Sequence, residues 1–284
     1  MDETLYLDGR GLTAVPESVR GMAGLRHLDV RANRLEALPG WLSELPALES
    51  LSIGENPLPG IPPEVTALTW LRRLYVHDLG LERVPDALGD LAELRILDLG
   101  HNRLPTLPPG LARLTHLEVL YLADNRLAEL PEAVRGLRGL RYLGATDNGL
   151  SGLPDWIGEL EHLVELRLYR NALTELPPAI GRLGALRELH LHDNRLTALP
   201  ERVGELGELR VLDLRANALT SLPATLGGLR RLRMLDLRAN RLDRLPDALA
   251  DLAALEKLDL RWNRFVDLPA PARRLQRRGC VVLS

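Results

Sequence analysis

The residues best spaced for chemistry lie in the run Glu188-Leu189-His190-Leu191-His192. On an extended chain alternate side chains face the same way, so His190 and His192 stand together, with Glu188 or Asp213 available as a third metal ligand. Arg167 and Arg215 lie beside them once the repeat described next is put in register, and their charge repels a cation. No metal is therefore expected. His101, close to Asp98 and Asp124, has the chemistry of a general base. It is accompanied by no nucleophile motif, no glycine-rich phosphate loop and no serine or cysteine in the same strip. We expect no catalytic residue and no cofactor, and read these side chains as parts of a binding surface.

What must position them is a repeat. Leu163, Leu166, Leu168, Leu173, Leu176, Ile180 and Leu183 return 23 positions later as Leu186, Leu189, Leu191, Leu196, Leu199, Val203 and Leu206. Asparagine marks the same slot at Asn33, Asn56, Asn102, Asn125, Asn148, Asn171, Asn194, Asn217, Asn240 and Asn263, with Arg10 and Leu79 as the two exceptions. Six residues beyond every slot stands a proline, from Pro16 to Pro269. The alternating leucines, as in Leu166-Arg167-Leu168, have the period of a strand, so the leucines point inward and the residues between them outward. The asparagine amide suits the turn that ends the strand, and the proline presets a short helical turn. One such unit buries too little to offset the ordering of its own backbone, so neighbours must stack. Where Leu79 replaces the amide, a backbone group is left short of a partner.

The pattern LxxLxLxxNxLxxLPxxLxxLxx, repeated twelve times, resembles the leucine-rich repeat family in its 23-residue, proline-containing, intracellular form. The resemblance implies an α/β solenoid, a horseshoe with a concave parallel β-sheet and short helical or 3-10 segments on the convex side. It also implies a protein-binding scaffold. We expect a single leucine-rich repeat domain over residues 1–284, with repeats across 2–277 and a capping strand within 278–284. In that strand Val281 and Leu283 are expected inward and Cys280 on the concave side.

A net charge of -3 argues against a partner that is nucleic acid or an anionic membrane. No apolar run approaches the roughly 20 residues a bilayer requires. The acidic opening MDETLYLDGRGL enters the repeat at once and does not read as a secretory signal. Cys280 is the only cysteine, which excludes an intramolecular disulfide framework and favours a cytoplasmic protein. Lys257 is the only lysine among 36 basic residues, a codon signature of a GC-rich bacterial genome.

With the register fixed, the outward residues fall into columns. The late repeats carry Asp213, Asp236 and Asp259 beside Arg215, Arg238 and Arg261, a self-neutralising filler. Repeats four to nine depart from it with tyrosines and histidines, which supply contact area and hydrogen-bonding tips. In repeat seven Gly144 and Ala145 replace larger residues and suggest a dent. The expected ligand-binding residues are Tyr75, His77, Asp98, His101, Tyr121, Asp124, Tyr142, Gly144, Asp147, Arg167, Tyr169, Arg170, His190 and His192. A protein or peptide on the concave face of repeats four to nine, bound by a monomer, is the favoured reading. The alternatives are an enzyme or a metal- or small-molecule-binding protein with its site in the dent near Gly144, and a structural self-assembly module.

Overall fold

The computed structural model describes residues 3–284, and each repeat in it supplies a three-residue strand, a loop and a short helical turn. The chain forms two compact units, one of residues up to Leu127 with Pro131–Leu140, the other of Ala128–Leu130 with Arg141–Ser284. The first carries β1 (Thr4–Tyr6), β2 (His27–Asp29), β3 (Ser50–Ser52), β4 (Arg73–Tyr75), β5 (Ile96–Asp98) and β6 (Val119–Tyr121). The second carries β7 (Tyr142–Gly144), β8 (Glu165–Arg167), β9 (Glu188–His190), β10 (Val211–Asp213), β11 (Met234–Asp236), β12 (Lys257–Asp259) and β13 (Val281–Leu283). Within each unit the strands pair in parallel and in chain order, as in Leu51↔Leu74 and Leu166↔Leu189. The middle leucine of each strand from β2 to β12 is inward and buried, so its two neighbours are turned to the exposed face.

At the end of each strand the chain must turn, and the residue before the asparagine slot takes a left-handed conformation. Ala32, Glu55, Asp78, His101, Asp124, Asp147, Arg170, Asp193, Ala216, Ala239 and Trp262 all have φ between 52° and 60°. This backbone is costly for a residue with a Cβ; at ten of the eleven positions an asparagine follows and bonds the turn, while Asp78 keeps it ahead of Leu79. Asn194 Nδ2 donates to the carbonyls of Leu168, Leu191 and His192, while its Oδ1 accepts from Leu173 N–H. Asn56, Asn102 and Asn240 repeat the same set.

Leu79 breaks this ladder, as the sequence suggests. Leu35 N–H and Leu81 N–H are bonded to Asn56 and Asn102, but the equivalent Leu58 N–H, 3% exposed, has no acceptor among the described residues. A groove of about 1180 Å³ lies beside this defect, on the loop side, between residues 36–38, 59–64 and 79–85. Restoring the amide with Leu79→Asn should raise the unfolding free energy by about 1 kcal/mol in a urea titration. An unchanged midpoint would mean that the leucine's packing outweighs the missing bond.

Each repeat proline sits just ahead of its helical turn with ψ near 140°, at the N-cap rather than in the first helical position, as at Pro177 (φ −67°, ψ 146°). The turns are five-residue 3-10 segments except α1 (Pro63–Thr66) and α2 (Ala270–Arg277). They stack closely because the fourth position is commonly glycine: a Cβ on Gly181 would lie 2.4 Å from the Arg202 carbonyl oxygen.

The last strand corrects one expectation. Val282 pairs with the inward Leu258, while Val281 and Leu283 align with Lys257 and Asp259 on the other face. Val281 is accordingly 56% exposed and Cys280 is buried. The spacing here is 24 residues because Gly279, at φ +95°, adds one residue between α2 and β13.

Candidate functional site

In the second unit the expected residues separate into small groups. The Tyr169 and His192 rings stack with centroids 4.2 Å apart and planes 10° from parallel. The Arg167 guanidinium lies over the Tyr142 ring at 5.6 Å, and Arg170 pairs with Asp147 at 3.4 Å. His190 Nε2 contacts Glu188 at 3.1 Å, whereas His192 Nδ1 faces Asp213 at 3.1 Å without the alignment of a hydrogen bond. The two histidines of the HxH run therefore do not converge. Glu165, Glu188 and His190 offer ligand atoms within 4.8 Å of one another instead, with Arg167 Nε already on Glu165 at 2.5 Å.

The gap expected at Gly144 is covered. A Cβ there would meet the Tyr142 hydroxyl at 2.9 Å, so the tyrosine ring lies across the strand that the glycine leaves bare. Ala145 is fully buried on the inward side and contributes nothing to the exposed face. Tyr142 and Arg167 thus make a raised platform where the composition alone suggests a dent.

In the first unit His77 stands between Asp98, 3.4 Å from Nδ1, and Glu55, 3.6 Å from Nε2. His101 pairs with Asp124 at 3.0 Å at the exposed strand end, while Asp98 accepts from Gly100 N–H. His101 therefore pairs with Asp124 and not with Asp98. Tyr75 is half-buried and Tyr121 exposed.

His77 and His192 are pushed in opposite directions. Asp98 raises the His77 pKa above its ordinary 6.5. Burial lowers that of His192, with Arg215 adding to the effect against Asp213. The stability His77 gains is fully present below pH 6.5 and is lost as pH rises through its higher folded pKa. His192 acts oppositely, costing stability as pH falls below 6.5. An NMR titration should place the His77 midpoint above 6.5 and that of His192 below it, and the reverse order would refute this description.

The charged filler of the late repeats is closely paired. Arg238 bridges Asp236 and Asp259, and Arg261 holds Asp259 at 2.7 Å. Burial works to raise the Asp259 pKa, yet the bonds from Arg261 and the nearby Arg238 hold it below the ordinary value. Burial raises the Cys280 thiol pKa, which makes it a poor nucleophile.

The sequence reading overlooked a cavity of about 360 Å³ on the strand face of β1 to β4. Its floor is β3, where Ser50 and Ser52 leave both outward positions small, and Gly54 follows just beyond the strand. His27 and Arg73 stand over it from the flanking strands, in the first strand position, which the expected site takes up only at Tyr142. The signal was present as SxSxG in a single repeat.

No helix among the described residues is long and apolar enough to cross a membrane. No curated protein matches the chain. Among solved structures it is similar to a leucine-rich repeat protein of Leptospira interrogans, at 29% identity and a TM-score of 0.65, with 96% of this chain and 81% of that one covered. It is also similar to an internalin from Listeria monocytogenes, at 22% identity and a TM-score of 0.75, covering 99% and 86%. A third is the plant peptide hormone receptor RGFR1 in complex with RGF2, at 25% identity and a TM-score of 0.60, covering 92% and 51%. The model of a leucine-rich repeat region matches residues 85–169 and 179–268, and that of a leucine rich repeat matches 3–58. With most of its length matched in this way, the chain belongs to the leucine-rich repeat family.

Proposed function

We propose that the chain is a non-catalytic protein- or peptide-recognition scaffold whose ligand lies on the exposed strand face, concave in leucine-rich repeat proteins. The observation that carries this reading is the pair of aromatic platforms of the second unit, Tyr169 on His192 and Arg167 on Tyr142. Flat rings held by a neighbour lose little entropy on binding and offer both apolar area and polar tips. Tyr75 and Tyr121 provide the corresponding contacts in the first unit, with His77, Asp98, His101 and Asp124 supplying polarity. The similar structure of a plant peptide hormone receptor, solved in complex with RGF2, is in keeping with a binding role. We also assign the chain to a reducing, cytoplasmic setting as a monomer, in keeping with its single buried cysteine. The test is selection of binders from a displayed random-peptide library on the whole protein, followed by affinity measurement on Tyr169→Ala. Binders indifferent to that change would contradict the assignment.

A further inference from the structure

The trough over β3 holds a partly buried charge with no carboxylate partner among the described residues. Its small side chains let Arg73 lean across the whole strand from β4, so that Nη2 comes within 3.3 Å of a ring nitrogen of His27 on β2, 46 residues earlier. No carboxylate lies within ion-pair distance of Arg73 among the described residues, and its Nε is buried without a hydrogen-bond acceptor. The other charges nearby are already matched. Asp29 holds Arg31 at 3.2 Å, and His77 sits between Asp98 and Glu55. Elsewhere on the strand face the guanidiniums of Arg238 and Arg261 are each forked onto an aspartate. Arg73 has the same fork and only a histidine edge to give it to.

A partly buried guanidinium with an unsatisfied Nε is unfavourable unless something completes it. Its planar donors match two oxygens of one carboxylate or phosphate, and Ser50 and Ser52 place hydroxyl donors on the floor beneath. We propose that this trough is an oxyanion subsite. Arg73 turns from His27 to donate Nε–H and one Nη–H to a carboxylate or phosphate group carried by the ligand, over the floor of Ser50 and Ser52. The subsite lies wholly in the first unit and does not depend on the aromatic platforms of the second.

The arginine Nε–H resonances of the whole protein report on it directly. Sodium phosphate and sodium acetate are titrated separately at constant ionic strength, with Arg73→Lys to assign the signal. The Arg73 Nε–H resonance should shift saturably with at least one of them, half-saturating at roughly 10 mM or below. The Arg238 and Arg261 resonances, already forked onto Asp236 and Asp259, should stay in place. Saturation by phosphate alone identifies a phosphate-bearing ligand, and saturation by acetate a carboxylate. Ser52→Leu, which fills the floor, should abolish the shift while leaving the Arg238 signal where it was. No saturable shift with either anion, an equal shift at Arg238, or an undiminished shift in Ser52→Leu would overturn the proposal.

Discussion

Replacing Asn194 with leucine should cost about 3–5 kcal/mol of unfolding free energy. The substitution keeps the volume and removes the amide. Leu173 N–H then loses its 3.0 Å acceptor, and the carbonyls of Leu168, Leu191 and His192 lose a shared donor, all in a site where Asn194 is 9% exposed. The left-handed Asp193, at φ 55°, also loses the bonds that hold it. At Leu79 the chain already carries one such loss, while the next rung stays in place: Asn102 Oδ1 accepts from both Leu79 N–H and Leu81 N–H. Urea denaturation measures the difference. A loss below about 1 kcal/mol would show that leucine packing, and not the asparagine ladder, sets the turn.

Tyr169→Ala should weaken a strand-face peptide ligand by about 30- to 100-fold, equivalent to roughly 2–3 kcal/mol, with little change in stability. The tyrosine is half-buried and its ring makes no core contact of the kind the leucines make, so its removal leaves the fold standing. What it takes away is a preorganised plane, since His192 holds the ring at 4.2 Å. The same change should move the His192 pKa upward toward 6.5, because the burial that lowers it comes in part from the stacked ring. Binding and titration therefore report on one contact. Unchanged affinity in a variant whose His192 pKa has risen would mean that the stack buries His192 but does not anchor the ligand.

The repeat was legible because it is one-dimensional: period two over Leu166-Arg167-Leu168 and a return after 23 residues fix which side chains are inward, without any long-range information. The asparagine ladder and the gap at Leu79 followed from the same register. What failed to show were choices made by side-chain direction. Gly144 reads as a dent only if Tyr142 stands upright, and the ring instead lies across it. His190 and His192 share a face, yet one turns to Glu188 and the other to Tyr169 and Asp213. Arg73 belongs to a column adjoining the loop, and its reach to His27 crosses the small residues Ser50 and Ser52 of an intervening strand, a two-strand relation that no single repeat displays. The extra residue at Gly279 likewise reversed the faces of Val281 and Leu283, since a shift of one residue exchanges inside and outside.

The most direct test of the recognition surface compares one selected peptide on two single variants of the whole protein. Tyr169→Ala changes the strand face, and Arg182→Ala changes an exposed residue of the 3-10 turn at Pro178–Arg182 on the opposite side of the repeat. Affinity should fall by about 30-fold or more for Tyr169→Ala and stay within about twofold for Arg182→Ala. Loss in Arg182→Ala with Tyr169→Ala unaffected would move the binding surface off the strand face and contradict the account.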